Sequence, residues 1–186
     1  MDETCIQKIL DGDSEAYRQI IIEYKSMAYS IAMSIIKNEF YAEEIIQDSF
    51  IIAYDKLHTF KGTSKFSTWL FRIVLNESFK LAKKHKTEFI DFVETLPPVS
   101  IEIDKSIYKL EEEDQKYFIN EALKRIPLKE SLVLRLFYLA EKSIEEISDI
   151  TGWSPSNIKV ILHRARIDLR NTLTETYKLD KKSLYL

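Results

Sequence analysis

One cysteine, three glycines and four prolines are all that the 186 residues contain. A lone Cys5 excludes a disulfide framework and any cysteine-rich zinc site. So few glycines and prolines leave little material for the turns of a strand-rich fold. Abundant Ile, Leu, Lys and Glu favour helices instead. No apolar run approaches the roughly 20 residues of a membrane span, so direct membrane insertion is not expected. The opening residues, MDETCIQKILDGD, lack the basic start and apolar stretch of a signal peptide, which predicts a cytoplasmic protein. Positive charge is not in excess either: the formal net charge is -3 and the pI about 5.7. A chain that binds DNA unaided is ordinarily basic, so any DNA reading here is local or leans on a partner. Also missing are a phosphate-cradling glycine loop, Cys/His metal spacing and a nucleophile–base pair at recognisable spacing. His58, His85 and His163 lie far apart in sequence. No enzyme activity, cofactor or metal is expected.

What is present is helical periodicity. Asp13 or Ser14 can cap a long helix to about Lys37, with Tyr17, Ile20, Ile21, Tyr24, Ala28, Ile31, Ala32 and Ile35 recurring at three and four residues. A second helix is predicted from about Tyr41 to Leu57. Its inner face is Ala42, Ile45, Ile46, Ser49, Phe50, Ala53 and Leu57; its outer face carries Glu44, Gln47, Asp48, Ile51 and Asp55. An isoleucine among outer acids marks either a protein-binding surface or a plain solvated face. After the loop His58 to Thr63, Ser64 is predicted to open a helix that ends in Lys80, Lys83, Lys84 and Lys86. Trp69 shares a face with Phe66, Leu70 and Ile73 and is read as core.

From Thr87 to Asp114 the pattern breaks. Pro97-Pro98 and many acids read as an interdomain linker, although Phe89, Phe92, Val93 and Leu96 argue against a purely solvated coil. Helical spacing resumes at about Gln115. Pro127 is read as a first-turn proline before Leu128, Leu132, Leu136 and Leu139. The fold expected is all-α: two small helical domains, 1–86 and 115–178, joined by an acidic linker, 87–114, with a tail at 179–186.

The second domain carries the clearest signal. Ser143 and Glu146 have capping-box spacing, Gly152 sits where a helix stops, and Ser154-Pro155 reads as N-cap and first residue of the next helix. A helix, a tight glycine-containing turn and a second helix form the helix-turn-helix layout. At about 100° per residue, Ile158, Leu162, Ala165 and Leu169 face inward. Ser156, Val160, His163 and Arg164 point the other way, with Asn157 beside them and Lys159 and Arg166 on the flanks. Short polar groups ringed by basic ones suit a major groove. Arg164 is placed to fork onto a guanine, Asn157 to reach a base edge and Val160 to touch a thymine methyl. Lys159 and Arg166 are assigned to phosphates.

The string YAEEIIQDSFIIAYDKLHTFKGTSKFSTWLFRIVLNESFKLAKKHK resembles region 2 of bacterial sigma factors of the extracytoplasmic-function group. Ala42-Glu43-Glu44 with Gln47, Asp48 and Phe50 looks like the core-polymerase-binding helix. Phe66-Ser67-Thr68-Trp69-Leu70 with Arg72-Ile73 and Asn76 looks like the helix that handles the promoter -10 element. The stretch from Ala122-Leu123 through Glu145-Glu146-Ile147 to Leu162-His163-Arg164-Ala165-Arg166 looks like region 4, which reads the -35 element.

The resemblance implies a promoter-specific transcription initiation factor. Glu43, Glu44, Gln47, Asp48, Ile51 and Asp55 would bind core RNA polymerase, whose largest subunit receives region 2 and whose second-largest receives region 4. The loop Phe60, Lys61, Gly62, Thr63 and Ser64 would take a base flipped from the -10 element, repaying the cost of unstacking it. Phe60 is the expected stacking residue. Arg72, Asn76, Lys80, Lys83 and Lys84 would hold nearby bases and phosphates. The linker would thread toward the polymerase active centre. An anti-sigma factor, membrane-anchored or not, is implied as a partner. Two positions depart from the family: Tyr41 stands where an Asp commonly caps the polymerase-binding helix, and Ile161 where a basic residue is common. The first demands a cap from elsewhere; the second removes one phosphate contact. A stand-alone DNA-binding regulator and a protein-only helical adaptor are the rival readings.

Overall fold

In the computed structural model, the described residues are 3–84 and 112–177, and all regular structure among them is helical. The linker expectation for 87–111 and the tail at 179–186 lie outside the described residues. The N-terminal half comprises α1 (Glu3–Leu10), α2 (Ser14–Ile36), α3 (Glu39–Asp55), a 3-10 turn (Leu57–Thr59) and α4 (Phe66–Lys84). The C-terminal half comprises α5 (Glu112–Arg125), α6 (Leu128–Leu134), a π turn (Arg135–Leu139), α7 (Ile144–Thr151) and α8 (Pro155–Tyr177).

Local chemistry starts and stops these helices. Asp13 accepts from the N–H groups of Glu15 and Ala16 (both 3.0 Å) and so starts α2, which ends where Lys37 enters the left-handed region (φ 52°). The cap that Tyr41 cannot supply comes from Asn38, whose side chain accepts from the Tyr41 N–H at 3.2 Å. This starts α3 two residues earlier than the periodicity suggests. Ser64 does not open α4: the helix starts at Phe66, and the Thr68 N–H bonds the Lys65 carbonyl at 3.0 Å.

Pro127 lies one place outside α6 rather than in its first turn, because its extended backbone (ψ 150°) leaves its carbonyl to accept from the Ser131 N–H at 2.9 Å. Leu139 does not join the apolar stripe of α6. The π turn adds a residue to the loop closed by Ala140 N–H on the Arg135 carbonyl (2.9 Å), and this rotates Leu139 outward. The capping box of α7 is complete, with the Glu146 N–H on Ser143 Oγ (3.1 Å) and the Ser143 N–H on Glu146 Oε2 (2.9 Å). Gly152 ends α7 at φ 73°, a left-handed conformation that glycine enters without strain.

In the N-terminal half, α2, α3 and α4 pack against one another. Ile20, Ile31, Ile36, Leu57, Leu70 and Val74 are fully buried there; each such side chain contributes about 1.5–3 kcal/mol of transfer free energy. The buried Tyr17 hydroxyl donates to the Phe50 carbonyl and ties α2 to α3. Burial pushes that phenol up to about 12, with Asp55 adding to the rise. In the C-terminal half, α8 lies against α6, α7 and α5 over a core of Leu132, Leu136, Ile147, Ile158 and Ala165.

The halves meet where α7 packs on α4 and α6 on α2. The contact is polar at its centre. The buried Lys142 ammonium donates to Ser67 Oγ (2.5 Å) and lies 5.6 Å from the centre of the Phe71 ring. Glu146 Oε1 is 3.1 Å from Lys65 Nζ and 3.8 Å from Lys142 Nζ. On the α2 side, Arg135 is only 2% exposed and donates to Ser30 Oγ (2.6 Å) and Asn120 Oδ1 (3.2 Å). Burial lowers its guanidinium to about 10, so it stays charged at neutral pH.

Candidate nucleic-acid and protein interfaces

Three surfaces remain once the core is accounted for. The first is the outer face of α3. Its inner residues Ala42, Ile45, Ile46, Ser49, Phe50 and Ala53 are buried, as their spacing predicts, and Glu43, Glu44, Gln47, Asp48, Ile51 and Asp55 are all exposed. Ile51 is 60% exposed although large and apolar. It does not stand alone. With Gln47 it forms one wall of a groove of about 620 Å³ whose floor is Tyr17, Ile21, Ile46, Phe50 and Tyr54. Ser14, Lys25 and Gln47 are the polar residues of its lining, so the exposed Ile51 belongs to a mainly apolar groove and not to a uniformly solvated helix face.

The second surface runs from the loop before α4 along that helix. Lys61, Gly62 and Thr63 are exposed and Ser64 is half-buried. Gly62 has φ 68°, which lets the loop turn tightly. Phe60 is not a free ring: it meets Phe66 edge-on (5.7 Å, 85°) and lies 5.5 Å from Trp69, itself half-buried. These rings form one aromatic shelf under the loop. Beyond it Arg72, Asn76, Lys80, Lys83 and Lys84 are exposed. Lys80 donates to the Glu77 carboxylate at 2.9 Å, and that hydrogen bond holds the ammonium above its ordinary range. Lys80, Lys84 and Glu77 share a polar groove with Glu44 and Asp48, so the first two surfaces adjoin.

The third surface is the outer face of α8. Ser154 Oγ accepts from the Asn157 N–H (3.3 Å) and caps the helix. The turn before it is tied by Ser148 Oγ donating to the Trp153 carbonyl (2.7 Å) and the Trp153 N–H donating to Thr151 Oγ1 (3.2 Å). Ile158, Leu162, Ala165 and Leu169 are buried, while Ser156, Asn157, Lys159, Val160, His163 and Arg164 are exposed together. Ile161, at 5% exposed, is core. Arg166 is turned aside. Its Nε donates to the Tyr138 hydroxyl (2.8 Å), and its guanidinium lies 5.7 Å from the centre of that ring and 6.0 Å from that of Phe137.

Two profiles of one family match the chain in order: Sigma-70 region 2 over residues 20–88 and Sigma-70 region 4 over residues 119–169, together about two thirds of the sequence. The first spans α2 to α4; the second spans α5, α6, α7 and most of α8. The chain belongs to the sigma-70 family, in its extracytoplasmic-function group. It is a transcription initiation factor and not an enzyme.

Among its relatives is the ECF RNA polymerase sigma factor SigW of Bacillus subtilis, 28% identical over 91% of this chain and 95% of that one. Another is the ECF RNA polymerase sigma-E factor of Salmonella typhimurium, 22% identical over 91% and 93%. Two solved structures share the fold. CnrH, in complex with the cytosolic domain of CnrY, has a TM-score of 0.65 at 20% identity over 94% of this chain and 97% of that one. RpoE of Bartonella quintana, in complex with the anti-sigma factor NepR, has a TM-score of 0.64 at 23% identity over 88% and 98%.

Three features of this sigma factor were missed by reading the sequence. The groove beside Ile51 needs Tyr17 and Ile21 from α2 as well as α3. The cluster Lys65, Ser67, Lys142 and Glu146 joins residues about 75 positions apart. Phe79 is exposed on the same side of α4 as Arg72 and Asn76, at helical spacing from both.

Proposed function

We propose that this sigma factor brings core RNA polymerase to promoters through the three surfaces in concert. The α3 face, with Glu43, Glu44, Gln47, Asp48, Ile51 and Asp55, docks on the polymerase largest subunit, and the C-terminal half contacts the second-largest. The loop Phe60 to Ser64 receives a base flipped from the melted -10 element, above the shelf of Phe60, Phe66 and Trp69. Arg72, Asn76, Lys80, Lys83 and Lys84 hold the neighbouring bases and backbone. The α8 face reads the -35 duplex through Ser156, Asn157, Val160, His163 and Arg164, with Lys159 on a phosphate. Arg166 reaches a phosphate only by leaving Tyr138.

One observation supports this reading: among the described residues, the outer face of α8 and the apolar groove beside α3 are both exposed. The net charge of -3 agrees with it. A factor that works on a larger polymerase does not need tight free-standing DNA affinity, and few phosphate contacts keep it off random DNA. An anti-sigma factor is the further partner we propose, by likeness to RpoE, which is held by NepR.

The test is transcription. Purified protein is mixed with core polymerase and a random promoter library, and transcripts are sequenced. Enrichment of two short elements spaced like -35 and -10 is expected. Tight DNA binding without polymerase, together with no promoter-dependent transcripts, would instead establish the stand-alone regulator.

A further inference from the structure

Arg135 is a buried charge without a counter-charge. It is 2% exposed, stays ionised at neutral pH and pairs with no carboxylate among the described residues. Its Nε donates to Ser131 Oγ (3.4 Å), and its Nη1 donates to Ser30 Oγ (2.6 Å) and Asn120 Oδ1 (3.2 Å). All of these acceptors are neutral. A guanidinium also carries two N–H donors on Nη2. Those have no acceptor among the described residues. The other buried cation between the halves, Lys142, differs in having the Glu146 carboxylate at 3.8 Å. A buried charge is ordinarily paired, because leaving it uncompensated is expensive.

The same side chain lines a cavity of about 430 Å³ between the halves. Ser30 and Met33 come to it from α2, Tyr117 and Asn120 from α5, and Leu139 from the π turn. The volume falls in the range of small-molecule sites, which combine mostly apolar walls with a few fixed polar groups. Met27, Met33, Tyr117 and Leu139 supply such walls, and Arg135, held from both halves, is such a group. The carboxylates of the lining do not serve as its counter-charge. Glu121 is bound to Lys124 at 2.6 Å, and Glu39 is exposed. With these four groups ionised the lining has no net charge, so positive potential is local to Arg135. That favours a single negative charge with an uncharged body over a dianion such as phosphate.

We propose that this cavity binds a small organic monocarboxylate, with its carboxylate on Nη2 of Arg135 and its apolar body against Met27, Met33 and Tyr117. The site is complete only while the halves are packed, since Ser30 and Arg135 belong to different halves. Such a ligand stabilises the packed arrangement by mass action and opposes separation of the halves. None of these residues lies on the three surfaces assigned to polymerase and promoter, so the inference stands or falls separately from that reading.

The test uses the full chain with isotope-labelled methionine methyls, and 4-fluorobenzoate as the probe at constant ionic strength. The signals of Met27 and Met33 should shift saturably with the probe. Inorganic phosphate should not reproduce the shifts. Arg135→Met removes the charge, and Asn120→Asp supplies an internal carboxylate in place of an acceptor that already contacts Nη1. Each is expected to weaken the probe at least tenfold, the scale of losing one partner of a buried charge pair. Asn120→Asp should also raise the thermal midpoint, because it satisfies Arg135 from within, and this variant carries the test if Arg135→Met does not fold. Folded wild type that shows no saturable shift of either methionine would overturn the proposal. Wild-type affinity for the probe in Asn120→Asp would overturn it as well, by placing the binding away from Arg135. An equal response to phosphate would replace the carboxylate site with a general anion site.

Discussion

Arg164 and Arg166 are two residues apart on α8 and have different neighbours. Arg166 is bound to Tyr138 and stacked beside Phe137, so it braces α8 against the π turn. Arg164 is exposed on the same face as Val160 and His163. An arginine with its fork free suits bidentate contact with a guanine, which is worth about 1–3 kcal/mol of discrimination. Arg164→Ala is therefore expected to relax preference at one position of the -35 element while leaving -10 preference alone. Selection from a promoter library reads both, and equal loss at the two elements would contradict the assignment. Ile161 is the complementary case. Its place in the core, between Ile158 and Leu162, removes it from the groove altogether.

At the scale of elements, α3 and α4 divide the work of the N-terminal half. Each buries one face in the same three-helix core and leaves an outer face exposed, while α4 also carries α7. A substitution on an outer face should then change binding without changing stability, since surface changes away from caps and pairs usually stay within about 0.5 kcal/mol. Ile51→Asp places a charge in the apolar groove that Tyr17, Phe50 and Tyr54 floor. It is expected to weaken association with core polymerase by about tenfold or more, as a desolvated charge left unpaired at an interface costs at least 1.4 kcal/mol. The thermal midpoint should be unchanged. Glu44→Lys should act in the same direction. Loss of folding in either variant would mean that the face is structural.

At the scale of the molecule, the two halves are joined by a few charged groups in a polar contact. Glu146 is at its centre: one carboxylate oxygen completes the capping box of α7 and the other faces Lys65 and Lys142. Burial works against its ionisation, but the Ser143 N–H and the two ammoniums outweigh that and hold the carboxyl below the usual glutamate range. Burial also lowers the Lys142 ammonium, an effect that Glu146 opposes. A carboxyl whose folded pKa is depressed contributes stability that is present above its ordinary pKa and lost as pH falls through the folded value. The contact between halves should accordingly be whole at neutral pH and weaken below about pH 4, the ordinary glutamate range. Glu146→Gln should weaken it at neutral pH and flatten the acid dependence. Energy transfer between dyes on α2 and α8 would read both effects, and an acid response identical in the Gln variant would place the titrating group elsewhere.

Helix existence, the inner and outer faces of α3 and α8, the capping box and the glycine stop were all legible in the sequence. Each depends on residues within one or two turns of each other, and helical spacing and capping are local rules. The Asn38 cap and the late start of α4 were local too, but side-chain choice there depends on how the chain enters the helix. Contacts between elements were not legible. Neither the groove beside Ile51 nor the restraint of Arg166 by Tyr138 nor the Lys65–Glu146–Lys142 cluster follows from any spacing. Long side chains have many partners within reach, and only packing selects among them. The sequence by itself therefore determined a two-domain helical transcription factor with named outer faces. The tertiary structure decided which of those outer residues are free to bind and which are already committed to holding the protein together.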